Sequence, residues 1–409
     1  MTRAPRWLTT QQAADLLGVK PETIYAYVSR GMLTRHPGAD RRSSRFDRTE
    51  VERLAARARR GGRAGALEVI IDTEITLLDP EGALYYRGHD ATILARTRRF
   101  EDVAELLWGG QGRSSRSSGR SWVPPPHAVE LARRAQDVLP DEAGPVQRMR
   151  VAVAALATAD PLRHDRRPES VTATARALIA GVVESLPERT PPQGETIAHR
   201  LWARLADRPP RRGELRALDA ALILLADHEL AASTFAARIA ASVWADPYLV
   251  ALTGLAAGGG VLHAGSAAAV ESLLREATER GPAAIPQLVD ERLRLGDRLP
   301  GFGHAIYTGR DPRADTLLDL VRRAGRRSAV DACVTELVST IGRHGGPAPN
   351  VDLALGALAV KAGLLPGSAE AIFLLARMAG VVAHALEEYP HPLRFRSRAL
   401  YTGVRPEHP

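Results

Sequence analysis

Apolar residues recur at helical spacing in two short runs near the start of the chain, each followed by a glycine. Thr9 or Thr10 is placed to N-cap the first, over QQAADLLG, with Gly18 as its C-cap. After Val19 and Lys20, Pro21 opens the second, ETIYAYVSRG, which Gly31 closes. Ala14, Leu17, Ile24 and Val28 predict the shared core of the pair. The segment RHPGADRRSSRF is turn-rich and basic, suited to a wing, and DRTEVERLAARARR predicts a third helix capped by Asp47. GGRAGA at 61–66 reads as a linker.

From Leu67 the texture changes. LEVIIDTEITLL and GALYYRG flank the turn Asp79-Pro80-Glu81-Gly82 and predict a short β-hairpin. Beyond it, segments 101–108, 148–158, 215–244, 328–342 and 368–389 carry helical spacing, so this part is expected to be mainly α. GGQGRSSRSSGRS at 109–121 is of low complexity and predicts a mobile surface loop. The uncharged stretch Pro247 to Val270 is long enough to raise the membrane question. Its proline, three consecutive glycines and His263 argue for a buried helix followed by a loop, so no membrane span is expected.

At 409 residues the chain suits two or three domains, and 45% apolar with 25% charged residues is a soluble globular balance. The single cysteine, Cys333, excludes an intramolecular disulfide framework and fits a reducing cytoplasm; its apolar helical setting predicts a buried structural thiol. The N-terminus has no apolar core of a secretory signal. The net charge of +8 is unevenly placed, because residues 1–65 hold 14 Lys/Arg against 6 Asp/Glu and the remainder is neutral. That points to a polyanion partner for the first block. Lysine occurs twice, at Lys20 and Lys361, and arginine supplies nearly all the positive charge.

The first block resembles the MerR/excisionase-type helix-turn-helix. Thr10, Ala13, Ala14, Leu17, Gly18, Val19, Thr23, Tyr25, Gly31 and Leu33 answer its pattern. The resemblance implies a small winged DNA-binding domain over residues 1–60. Thr23, Tyr27 and Arg30 would lie on or beside the exposed side of the second helix for groove contacts, with Arg41, Arg42 and Arg45 on the wing against phosphates. The alternative is a helical dimerisation or adaptor module with a solvated basic face.

Three islands in the last 200 residues could carry chemistry: LILLADHELAASTFAAR with AAGGGVLHAGSAAAVESLL, then LPGFGHAIYTGRDPRADTLL, then PNVDLALGALAVKAG with FLLARMAGVVAHALEEY and LRFRSRALYTG. Singly they are weak, since a histidine near glycines is usually a loop residue and an Asp after Asn-Val is commonly a helix cap. Together they resemble the citrate synthase family over residues 67–409. Val261-Leu262-His263-Ala264-Gly265 answers its "P-L-H-G-G", Pro300 to Arg313 its "P-G-[FY]-G-H-x-[VI]-Y-x-x-x-D-P-R", and Pro349 to Asp352 its "P-N-V-D". Tyr86-Arg87-Gly88 and the closing R-x-R-x-L-Y-T-G also match.

The resemblance implies an all-α citrate synthase fold of large and small helical domains, the small one at roughly 260–365, with the active site in the cleft. It implies a transferase of the tricarboxylic acid cycle condensing acetyl-CoA with oxaloacetate, with Asp352 as base, His263 as donor to the thioester oxygen and His304 as donor to the keto oxygen. Arg313, Arg377 and Arg396 match its substrate arginines and His228 a further substrate histidine. The last arginine crosses from the other subunit, so a homodimer with shared sites is implied. CoA is a co-substrate, its adenine held around Leu299, Gly301 and Gly303; no permanently bound cofactor and no metal are implied.

The chain also departs from the pattern. Thr308 stands where a basic residue is usual, with Arg310 nearby as a substitute, and "H-x-D-H-E-x-N-x-S-T" reads Leu225 to Thr234 without its first histidine and its asparagine. After His263 the usual "G-G-A-N-E" reads Ala264 to Ala268. Two rival readings follow: a 2-methylcitrate synthase using propionyl-CoA, and a DNA-binding regulator that keeps the enzyme fold as a metabolite sensor.

Overall fold

Thr9 N-caps the first helix. Its Oγ1 accepts the Gln12 N–H while the Gln12 side chain accepts the Thr9 N–H, a reciprocal box that satisfies two otherwise unpaired donors. The helix, α1 (Thr10–Leu17), stops at Gly18, whose φ of 66° is the left-handed value a glycine adopts without strain. Strand β1 (Trp7–Thr9) precedes it, and α2 (Pro21–Ser29), β2 (His36–Pro37) and β3 (Ser44–Asp47) follow. The sheet has the order β1-β3-β2, both pairs antiparallel. Ala14 and Ile24 are buried as expected, joined by Leu8, Ala13, Leu33, Phe46 and Val51, with Leu17, Tyr27 and Val28 packed against them.

The computed structural model describes residues 7–29, 33–38, 43–48, 50–52, 69–79, 82–109, 122–294, 299–396 and 403. Two compact units result, Met1–Asp72 and Thr73–Pro409. Arg30, Gly31, Arg41, Arg42, most of the expected third helix, the 61–66 linker, residues 110–121 and most of the closing motif lie outside the described residues.

In the second unit β4 (Thr76–Leu78) and β5 (Leu84–Tyr86) pair antiparallel, Thr76 opposite Tyr86, and β6 (His89–Asp90) adds to β5. This is the hairpin expected from the sequence, with one strand more. The rest is helical: α3 (Ala91–Thr97), α4 (Phe100–Gly109), α5 (Pro126–Arg134), α6 (Pro145–Ala159), α7 (Pro168–Ser185), α8 (Ile197–Leu205), α9 (Glu214–Leu225), α10 (Ala232–Ser242) and α11 (Pro247–Gly258). Then come α12 (Gly265–Arg280), α13 (Ile285–Arg294), α14 (Pro312–Arg323), α15 (Ala329–Arg343), α16 (Val351–Ala362) and α17 (Ser368–Glu388). The expected helical stretch 215–244 is therefore two helices, broken at 226–231. The uncharged stretch from Pro247 is a helix, capped by Asp246, followed by a loop.

The last helix, α17, is the centre of the core and is buried along most of its length. By length and composition it could cross a membrane, yet 89% of its apolar window is buried inside the protein. Gly380 lets it pass close to the 226–231 corner: its N–H donates to Ala226 O at 3.0 Å, and a Cβ there would lie 2.4 Å from that oxygen. Cys333 is buried, its thiol donating to Ala277 O. Lys361 is buried too, its ammonium donating to Val321 O (2.8 Å) and Asp331 (2.9 Å), which ties α16 to α14 and α15.

Candidate active site

The break between α9 and α10 is built around Asp227. This fully buried carboxylate accepts from Thr76 Oγ1 (2.5 Å), from the Glu229 N–H (3.1 Å) and from His384 on α17 (3.4 Å). Burial alone would raise its pKa; His384, Arg377 and Thr76 outweigh that and hold it below the ordinary value. His384 Nδ1 accepts from Arg238 (3.0 Å), so its Nε2–H is the donor to Asp227. Arg238 in turn meets Glu388 at 2.6 Å and Glu387 at 3.1 Å. Tyr86 OH donates into the same corner, to Ile223 O and Asp227 O. Backbone at Glu229 takes φ 55°, a left-handed value that costs a non-glycine residue and persists because these bonds fix it.

His228 follows Asp227 and is thereby aimed at the other islands. Its Nε2 is 3.0 Å from Tyr307 OH, and its ring meets His304 edge-on with centroids 5.2 Å apart. His304 Nδ1 accepts the Ile306 N–H at 3.1 Å, which leaves Nε2 to carry the proton of the neutral ring and to donate. Burial, aided by Arg313, lowers the His304 pKa to about 4. Burial also holds His228 well below its ordinary value, with Arg313, Arg377, His304 and His263 adding to it.

Asp311 and Asn350 lock the second and third islands together. Asp311 caps α14, grips Arg313 with two bonds (3.0 and 2.8 Å), and accepts the Val351 N–H at 3.0 Å. The Asn350 side chain donates to Gly303 O, and its N–H donates to Gly301 O. Gly301, at φ 89°, sits so close that a Cβ would be 3.1 Å from Leu353 Cβ. Asp352 then falls in the first turn of α16, half-buried. Burial raises its pKa to about 6, against the opposing pull of Ser266 and Arg313.

His263 lies in the turn just before α12, its Nε2 2.7 Å from Ser233 Oγ on α10 and its ring against Phe373. Burial lowers its pKa to about 4, with Arg377 contributing. The Arg377 guanidinium is buried above Phe373; Nε donates to Leu225 O at 3.0 Å, and Nη1 has no hydrogen-bond partner among the described residues. A buried, unpaired guanidinium edge is costly, and a carboxylate is its natural complement.

Arg313 and Arg377 tie these residues into one region: both act electrostatically on His228 and Asp352, Arg377 on His263 and Arg313 on His304. Arg396 is exposed at the C-terminal segment, unlike the buried Arg313 and Arg377. Arg310 is exposed and paired with Asp315. Leu299 is half-buried at the start of the Gly301–Gly303 segment, where Gly303 N–H donates to Ala348 O. In the first unit Thr23 and Tyr27 are half-buried, Tyr25 is the more exposed aromatic of α2, and Arg45 is exposed on β3. Sequence reading gave no role to Asp227, Ser233, Arg238, Tyr307, Asp311 or His384. All six lie within the three islands beside assigned residues, His384 following Arg377 by two helical turns. Among the described residues no group of His, Cys, Asp and Glu is placed to hold a metal ion.

Comparison with known proteins agrees with this arrangement. A family model described as "Citrate synthase, C-terminal domain" matches residues 66–398, and one described as "Helix-turn-helix domain" matches residues 7–59. The citrate synthase of Saccharolobus solfataricus is 31% identical over 363 residues, covering 83% of this chain and 95% of that one. A citrate/2-methylcitrate synthase of Bacillus subtilis is 28% identical over 366 residues, covering 82% and 95%. The solved ternary complex of carboxymethyl coenzyme A and oxaloacetate with the citrate synthase of Thermoplasma acidophilum superposes with a TM-score of 0.68 at 25% identity, covering 83% of this chain and 95% of that one.

Proposed function

This chain belongs to the citrate synthase family and is a transferase, and from that premise we propose that it condenses acetyl-CoA with oxaloacetate and water to give citrate and CoA. The observation that carries the proposal is that a carboxylate of raised pKa, Asp352, and two histidines kept neutral, His263 and His304, are gathered around the same two buried arginines, Arg377 and Arg313. In this reading Asp352 takes a proton from the thioester methyl carbon. His263, with Ser233 donating to Nε2, carries its proton on Nδ1 and donates it as a hydrogen bond to the developing enolate oxygen. The carbon nucleophile attacks the keto carbon, whose oxygen gains the proton of His304 Nε2. Water then cleaves the citryl thioester, releasing the CoA thiol and a carboxylate.

Arg313 and Arg377, with His228, would hold the oxaloacetate carboxylates from within the subunit, and Arg396 from its partner. CoA would lie along Leu299, Gly301 and Gly303, with Arg310 leaving Asp315 for a phosphate. A homodimer is supported by the exposed apolar side chains Ile239, Val243, Trp244 and Leu249 on and between α10 and α11. A cytoplasmic location fits the single cysteine, in its reduced form. Release of CoA from acetyl-CoA and from propionyl-CoA, each with oxaloacetate, is the direct test. Propionyl-CoA as the better substrate would move the assignment to 2-methylcitrate synthase, and no release with either would favour the sensor.

The acid limb of the rate profile should come from Asp352. A base must be ionised, so kcat/KM for the acyl thioester should fall about tenfold per unit as pH drops below about 6. His263 and His304, neutral down to about 4, should not shape that limb. A limb centred near 4 would remove Asp352 from the role.

The first unit is proposed to bind duplex DNA through residues 1–60, with Thr23, Tyr27 and Arg30 at the groove and Arg41, Arg42 and Arg45 at phosphates. The motif and the local net charge of +8 support it. Full-length protein titrated with labelled duplex should bind tightly at low salt and lose affinity steeply as salt rises. Absence of binding at low salt would leave the block as an adaptor.

A further inference from the structure

The segment that carries Arg396 is fastened to α10 and α17 by three successive residues. Leu393, at φ 57°, donates its N–H to Ser242 O at 2.7 Å, at the end of α10. Arg394 Nε lies 3.4 Å from Glu388 Oε1, an oxygen otherwise buried without a hydrogen-bond partner. The Phe395 ring meets Phe235 of α10 edge-on, centroids 5.5 Å apart and planes at 80°. Arg396 comes next and is exposed. A non-glycine residue stays at positive φ only where its surroundings fix it, so Leu393 marks a set direction for the chain.

The same short helix serves the subunit's own site. Ser233, two residues before Phe235, holds His263, and Arg238, three residues after it, bonds Glu388 and His384. One rigid element therefore carries both the holder of His263 and the anchors of the arginine segment.

We propose that Phe235, Phe395 and Arg394 are positioning residues that aim Arg396 at the oxaloacetate site of the partner subunit. This rests on the reading that Arg396 binds a substrate carboxylate there. An arginine that reaches across a subunit boundary binds well if its backbone is already fixed; otherwise ordering it consumes part of the binding energy. The ring pair and the ion pair provide that fixing without touching substrate.

Phe395→Ala, Phe395→Leu, Arg394→Gln and Arg396→Ala are compared in the full-length protein by steady-state kinetics against each substrate. Phe395→Ala should raise the oxaloacetate KM by about 10- to 100-fold, with the acyl-CoA KM unchanged. Phe395→Leu should restore most of the loss, and Arg394→Gln should show the same split more weakly. If Arg396→Ala raises the oxaloacetate KM and Phe395→Ala does not, the positioning role is overturned while the substrate reading stands. If Arg396→Ala leaves it unchanged, the substrate reading itself falls. Equal loss of affinity for both substrates in Phe395→Ala would mark general unfolding of the subunit surface and overturn the positioning role. Should that variant melt markedly earlier than wild type, Phe395→Leu decides by the same split.

Discussion

Asp352→Asn should lower the condensation rate by about 10²–10⁴ while leaving oxaloacetate binding nearly intact. The amide keeps the size of the carboxylate and its place in the first turn of α16, so the capping by Asn350 and the Asp311 bond to Val351 survive. What is lost is a proton acceptor that burial has brought to a pKa of about 6, closer to neutrality than an exposed aspartate. The oxaloacetate ligands proposed here, Arg313, Arg377 and His228, are separate residues, so isothermal titration should find little change in affinity. Turnover close to wild type would rule Asp352 out as the base.

Arg396→Ala should raise the oxaloacetate KM by roughly 10- to 100-fold, the loss expected for charge-assisted bonds to a carboxylate. Mixing this variant with Asp352→Asn separates a shared site from a self-contained one. In a mixed dimer one site has both an intact Asp352 and an intact Arg396, and the other has neither. At oxaloacetate well below the raised KM, an equal mixture that exchanges subunits freely should recover about a quarter of wild-type activity, because half of the dimers are mixed and each has one working site of two. Exchange confirmed by a tag, with no recovery, would place Arg396 outside the partner's site.

Local features were legible in the sequence because short-range chemistry decides them. The Thr9 cap, the Gly18 stop and the hairpin at 76–86 follow from side-chain acceptors, a left-handed glycine and a turn between apolar runs. The islands holding His228, His263, His304, Arg313, Asp352 and Arg377 were legible as motifs, and the fold brings them together. The break at 226–231 was not. Helices α9 and α10 are rich in alanine and leucine and largely buried, so no polar stripe fixes a helical phase that the break would interrupt. The chain Thr76–Asp227–His384–Arg238–Glu388 was hidden for another reason: its members lie up to 312 residues apart and meet only after folding. β1 escaped because three residues are too few to show alternation.

The near absence of lysine has a chemical consequence for a protein that handles acyl thioesters. Thioesters acylate free amines without a catalyst, and an ionised guanidinium resists that reaction. Of the two lysines, Lys361 keeps its ammonium buried and bonded to Val321 and Asp331, which leaves Lys20 as the exposed side-chain amine. A surface charged almost wholly by arginine holds its positive charge in a pool of reactive acyl donors. It also offers a practical handle: an amine-directed dye should mark the turn between α1 and α2 at Lys20 and leave the lysine side chain of the catalytic unit unlabelled.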